Sequence, residues 1–400
     1  MHNKLVSSGC TSELVEAEGM WHAYVLYCIK ERACDLDRIN AFLNRFLSHE
    51  RKLRWMRLDN AAKIYPAAKR RKWNNFFRLS ATLCDEVDKT VLRNAMDVTM
   101  RRFPSIAVRL CRGAFWYYLE ELSSAPEITD EKSWPLAHTP FESINECALR
   151  VIVYKNRIAV EFYHALTDGT GGMVFLKSLL AEYIEQKYGV EIPNECGVLD
   201  RLTQPQEEEL EDSFSKNAGS VSVSRNASTA FKIHYTPERD DFRHLTTFIL
   251  DSNAALAAAK SCGVSLTVYL TSAMLLALQR IQDEQTPDKR RQKPIRVVVP
   301  VNLRRLFPSR TLRNFVHVIM PEIDPRMGDY EFSEILTSVK HQLGLLVTKK
   351  NLCAMFTPNV NAERSPLLRV MPLFLKNIAM KLVYDTVGER TNCLNLSNLG

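Results

Sequence analysis

Apolar side chains recur along this chain at two alternating periods, and that alternation predicts an α/β protein. Residues 87–102 place Val87, Val91, Ala95 and Val98 on one helical face, and the helix must stop at Phe103-Pro104, because proline cannot continue it. Short apolar runs predict strands at 106–110 and 115–119. Residues 149–154 and 157–163 read as a hairpin turning at Lys155-Asn156, and its second strand runs straight into His164. Beyond the glycines that follow, Met173, Leu176, Leu180, Tyr183 and Ile184 define an amphipathic helix that Gly189 is suited to cap. The pattern continues with a strand at 245–250, Ala- and Leu-rich helices at 254–260 and 266–281, and a buried strand at 295–301. A strand at 314–320, two helices and a last strand at 393–396 complete it.

Two features divide the chain. Residues 1–56 precede the regular alternation, and Leu36, Ile39, Leu43, Phe46 and Leu47 share one face there, which predicts an N-terminal helical extension. The span 205–229 is acidic, then rich in Ser, Asn and Gly, as a linker is. Four hundred residues exceed what one hydrophobic core usually organises, so two lobes are expected, at 57–204 and 230–400.

Composition narrows the class. With 46% hydrophobic and 25% charged residues the chain is globular, which excludes disordered and fibrous classes. A net charge of +7 permits an anionic partner such as a phosphate-bearing cofactor and makes no demand for nucleic acid. The basic run Arg51, Lys52, Arg54, Arg57, Lys63, Lys69, Arg70, Arg71 and Lys72 reads as solvated surface. Ten cysteines lie scattered with no C-x-x-C pair, so neither a disulfide scaffold nor a zinc site is expected, and a reducing, cytoplasmic location fits. The N-terminus has no signal-peptide pattern. Residues 367–384 are the best candidate for a span, yet they carry Arg369, Pro372, Lys376 and Lys381. A membrane span wants about 20 nearly uncharged residues, so no integral membrane association is expected.

The candidate chemistry centres on His164. It sits where a strand ends, followed by Asp168-Gly169-Thr170-Gly171-Gly172 and a helix. An imidazole titrates near neutrality and can take a proton from an attacking hydroxyl or amine. The glycines let backbone N–H groups approach a ligand at the positive end of the helix. Other readings stay open: a histidine before a loop also serves as a satisfied structural residue, and His164 with Asp168 could hold a metal, although no third ligand is recognisable. No P-loop, G-x-G-x-x-G or G-x-S-x-G segment is present.

The segment His164-x-x-x-Asp168-Gly169 resembles the H-x-x-x-D-G signature of the chloramphenicol acetyltransferase-like acyltransferase superfamily, which includes condensation domains, plant BAHD acyltransferases and alcohol acetyltransferases. Three more stretches carry the resemblance, in the expected order. Leu58-Asp59-Asn60-Ala61-Ala62-Lys63-Ile64-Tyr65-Pro66, leading to Phe77-Arg78-Leu79-Ser80, is similar to the opening of bacterial alcohol acetyltransferase-like proteins. Pro300-Val301-Asn302-Leu303-Arg304, with Thr311-Leu312-Arg313-Asn314-Phe315, resembles the second-lobe strand and crossover. Ser397-Asn398-Leu399-Gly400 resembles the S-N-x-G strand facing the tunnel. Tyr163 stands where condensation domains have a second histidine, and the BAHD D-F-G-W-G motif is missing. Both departures favour the alcohol acetyltransferase branch.

The resemblance implies two lobes, each a mixed sheet covered by helices, with an active-site tunnel between them. It implies an acyl-CoA donor, acetyl-CoA first and an acyl-carrier protein second, as co-substrate rather than bound cofactor, and a small alcohol or amine acceptor. His164 would be the base, Asp168 a structural acid, Gly169 a permissive loop residue, and Arg304 the partner of Asp168 from the other lobe. Arg304 also follows a buried strand and needs an anion wherever it emerges. Asn302, Ser397 and Asn398 are candidates for substrate or oxyanion contact. No metal is required. Relatives continue beyond the S-N-x-G strand, so the second lobe is expected to be incomplete at Gly400. The rival readings are a condensation-type enzyme using carrier-bound acyl groups and a non-catalytic member of the fold that only binds an acyl thioester.

Overall fold

The computed structural model describes residues 53–68, 75–131, 134–137, 139–223, 228–236, 238, 242 and 244–399. The expected helix around 36–47 and parts of the basic run lie outside them.

Strands of the first lobe are β1 (Trp55–Arg57), β2 (Phe76–Thr82), β3 (Val108–Arg112), β4 (Tyr117–Glu121), β5 (Ile128–Asp130), β6 (Leu149–Tyr154) and β7 (Arg157–Tyr163). They form a three-stranded sheet in the order β1-β4-β3 and a four-stranded sheet in the order β2-β7-β6-β5. The central strand β7 is buried from Ile158 to Tyr163, and the one charged residue of that buried stretch is explained by its neighbours. Glu161 lies opposite Arg78 of β2 and Arg150 of β6, and both arginines pair with it. The helix Lys89–Arg102 packs on this lobe beside the helix Gly169–Tyr188. Asp88 caps the first through Thr90 and Val91 N–H. Gly189 ends the second in a left-handed conformation, φ 70°, which a Cβ would disfavour.

The second lobe is built on β8 (Ile295–Asn302), which takes antiparallel β9 (Val316–Ile319) and β10 (Glu322–Ile323) and parallel β11 (Leu394–Asn395). Helices Leu266–Gln285, Phe332–Leu346 and Lys349–Arg364 cover it. Each lobe has its own core. Phe103, Phe162 and Phe175 meet edge to face in the first, and Phe214, Phe307, Phe315 and Phe356 cluster in the second. The lobes also interlock, because Leu312 and Leu373 from the second half of the chain pack into the first core. Among the described residues no single helix is long and apolar enough to cross a membrane; the helices Ser252–Ser261 and Leu266–Gln285 meet that test only as a pair bent by 82°.

Two sequence expectations differ from the structure. The span 205–229 is more than a tether: it contains helices Glu207–Leu210 and Ser213–Asn217, and Phe214 is buried in the second core. Its acidic composition serves one buried contact, since Glu209 receives two parallel hydrogen bonds of 2.6 Å from Arg102 of the first lobe. The expected strand at 245–250 is instead an exposed irregular segment, with Ile249 94% exposed. An apolar run becomes a strand only when a ladder partner is available, and among the described residues nothing pairs with it.

Glu209→Ala would leave the Arg102 guanidinium buried without its anion. The expected cost is about 3–5 kcal/mol of unfolding free energy, read from denaturant melts, whereas a cost below about 1 kcal/mol would mean solvent reaches the pair.

Candidate active site

The antiparallel register of β2 and β7 places the site. Phe76 lies opposite Tyr163 and Phe77 opposite Phe162, so the ladder continues one step further to Asn75 and His164. His164 N–H donates to the Asn75 carbonyl at 2.8 Å. The residue is half-buried and its imidazole lies between two aromatic rings: Tyr65 stacks on it at 4.7 Å and 15°, and Phe77 is tilted against it at 4.9 Å. Nδ1 is buried with no well-formed hydrogen bond among the described residues. Burial pulls the imidazole below its ordinary value, against the opposing influence of its own carbonyl, the Asp168 charge and Asn314. The ring is therefore neutral near pH 7, the state a proton acceptor requires.

Asp168 does something different. It is the N-cap of the helix Gly169–Tyr188, and its Oδ1 accepts from Thr170 and Gly171 N–H, both at 3.1 Å. Its Oδ2 accepts from Arg304 Nη1 and from Phe315 N–H, both at 2.8 Å. Four donors fill the carboxylate's acceptor sites, and its side chain is 3% exposed. Such a group is saturated by protein and has nothing left to offer a substrate. Arg304 is equally committed, donating also to the carbonyls of Thr311 and Arg313 and to Asn302 Oδ1.

The crossover 311–315 is the strut that holds this loop. Thr167 Oγ1 donates to the Leu312 carbonyl at 2.6 Å. A Cβ on Gly171 would lie 2.1 Å from that same carbonyl oxygen, so only glycine allows the helix to start so close to the other lobe's backbone. Asn314 Nδ2 reaches the His164 carbonyl at 3.1 Å and Asp59 Oδ2 at 3.3 Å. Asp59 is fully buried below the loop; burial pushes its carboxyl up to about 6, although Arg313 nearby acts the other way.

The remaining candidates scatter around this centre. Because β11 runs parallel to β8, the segment after it arrives at the same end as Asn302, and Leu399 covers Gly169, where a Cβ would meet its side chain at 2.5 Å. Asn302 caps the turn Leu303–Arg305, and its carboxamide is spent on Thr170 Oγ1 and on Arg304. Asn398 turns to Thr267 of the second lobe at 3.2 Å, and Ser397 is exposed. Tyr65, Phe77 and Asn314 touch His164 directly and were not among the candidate site residues. All three belong to stretches that carry the family resemblance, which was the available signal. Among the described residues no group of three or more His, Cys, Asp or Glu is placed to hold a metal ion.

Asp168→Asn and Arg304→Ala should each cost about 3–5 kcal/mol, because each leaves a buried partner uncompensated. The double mutant should cost less than the sum; additive losses in a thermodynamic cycle would mean the pair carries no coupling.

No family model and no curated protein sequence matches the chain. Solved structures do resemble it. F. graminearum TRI101 complexed with ethyl coenzyme A superposes with a TM-score of 0.51 at 10% identity, over 86% of this chain and 83% of that one. Polyketide synthase associated protein 5 from Mycobacterium tuberculosis gives 0.46 at 14% identity over 75% of each chain. The first condensation domain of the CDA synthetase gives 0.44 at 13%, over 74% of this chain and 75% of that one. The first of these reaches the level at which an overall topology is shared, so the chain shares a two-lobed, mixed α/β fold with that solved structure.

Proposed function

We propose that the protein is an acyltransferase that moves an acyl group, acetyl first among them, from a CoA thioester to an alcohol or amine, with His164 as general base. The observation that carries this reading is the placement of His164: a half-buried imidazole at a strand end, gripped between aromatic rings on a loop bonded to both lobes. The solved neighbour bound to ethyl coenzyme A supports a CoA thioester as the donor class.

In the reaction, the free imidazole nitrogen takes the proton from the acceptor hydroxyl as its oxygen bonds to the thioester carbonyl carbon. The tetrahedral intermediate then collapses, the C–S bond breaks, and the leaving thiolate takes that proton back from the imidazolium. No charge is left on the protein at the end of the cycle. The transient oxyanion needs a preorganised donor. Asn302 and Asn398 already have partners, so Ser397 Oγ and the Gly169 N–H are the candidates this reading retains. Asp168 takes no part in proton transfer; it fixes the loop that carries the base.

The test is thiol release across acyl-CoAs of increasing chain length, each with a panel of alcohols and amines. Acceptor-dependent release is expected, and His164→Ala should lower it on the order of 10²–10⁴-fold with the fold retained. A purified His164→Ala protein turning over at the parent rate would remove the base role. Donor binding without release for any acceptor would make the protein a binding member of the fold.

A further inference from the structure

The mechanism asks that the His164 ring keep one orientation, and hydrogen bonding supplies little of it: its own carbonyl and Asn314 lie near the ring without a well-formed bond to it. Nδ1 has no well-formed bond to a neighbouring side chain, and Asp168, four residues on, is saturated elsewhere. What lies against the ring is the flat face of Tyr65, stacked at 4.7 Å and 15°, with Phe77 closing the side.

The Tyr65 face is itself fixed. It sits in the helical turn Ile64–Ala67, where Tyr65 N–H donates to the Ala62 carbonyl at 3.2 Å and Ala68 N–H to Ile64 at 2.8 Å. Ala62 N–H is in turn held by the buried Asp59 carboxylate at 2.7 Å. On its outer side the turn packs against the helix Leu373–Val383. Asn75 ties the two aromatic partners together, donating through Nδ2 to the Tyr65 carbonyl at 3.4 Å and accepting His164 N–H on its own carbonyl. Asn75 is buried with φ 20°, at the edge of the left-handed region, which a short carboxamide tolerates better than most side chains.

We infer that Tyr65 is a positioning residue for the transfer reaction: its ring face sets the plane of the His164 imidazole and keeps water off it. This rests on the base role assigned to His164. The ring face acts, not the hydroxyl, because burial keeps the phenol protonated at any working pH. The charged or titratable groups facing the pair are Asp168 on the histidine's own loop, Asp59 ahead of the tyrosine turn, and Tyr384 beyond the helix Leu373–Val383. Phe77 and Asn314, which also lie against His164, carry no charge.

The experiment compares Tyr65→Ala, Tyr65→Leu and Tyr65→Phe in the full chain by steady-state kinetics and by NMR titration of the His164 Cε1–H. Without the aromatic face, kcat should fall about tenfold or more, since a misplaced catalytic group loses rate steeply. The donor KM should stay within about twofold, the pattern of a transition-state loss. The His164 midpoint should rise towards its ordinary value of about 6.5 as water reaches the ring. Tyr65→Phe should recover most of both losses. The leucine variant keeps the bulk, so a folded protein remains to be measured even if the alanine variant does not fold. Parent-like kcat and an unmoved midpoint in Tyr65→Leu would overturn the inference, as would a phenylalanine variant as impaired as the leucine one. The NMR arm needs no turnover, so loss of the base role in His164→Ala kinetics would be seen separately from failure of the positioning role.

Discussion

The carboxylate of Asp168 is where the two halves of this molecule meet. One oxygen closes the first turn of the helix Gly169–Tyr188, and the other is shared by the Arg304 guanidinium and the Phe315 N–H of the opposite lobe. A carboxylate out of water is tolerable only when every acceptor site is filled, and here all are. The loop cannot move without breaking either its helix cap or its bond to the other lobe. His164, at the start of that loop, therefore inherits its position from an interlobe contact rather than from the strand alone.

The surrounding constraints follow from how close that contact must be. Leu312 brings its carbonyl against Gly171 and its side chain into the first core, so the crossover is inserted and not merely apposed. Beneath it lies Asp59, a second buried carboxyl, tied to Asn314 and to the turn that carries Tyr65. Folding raises the Asp59 pKa above its unfolded value to about 6, so this group favours the folded state at low pH and opposes it as pH rises through that range. Burying it has a cost, and what that cost secures is the alignment of Tyr65 and His164 on one side with the crossover on the other.

Much of the frame was legible in the sequence because its patterns are local. The hairpin of β6 and β7, the histidine at its end and the helix capped at Gly189 come at the residues the alternation and the glycine indicate. The pairing of Arg304 with Asp168 was an expectation of the family resemblance, to which the buried strand added only that Arg304 needs an anion; the structure puts the two at 2.8 Å. What was not legible is contact between residues far apart in the chain. Nothing local marks Tyr65 as lying on a ring 99 positions later, or the Asn302 carboxamide as spent on Thr170 instead of facing a substrate. The acidic stretch at 205–212 read as linker chemistry because the partner of Glu209 is Arg102, more than a hundred residues upstream. The run at 245–250 failed in the opposite direction: it is apolar enough for a strand, but a strand needs an edge to join.

The claim on which this account stands is that a neutral His164 accepts the acceptor's proton. Burial lowers the imidazole's pKa, so the ring protonates only as pH falls below its ordinary range, and activity should be lost there and full above it. The direct measurement is the acid limb of kcat/KM for acceptor-dependent thiol release, set beside the NMR titration of the His164 Cε1–H in the same protein. The account predicts one shared midpoint, below about 6.5. A rate that stays flat through the NMR midpoint, or that follows a different one, would contradict it.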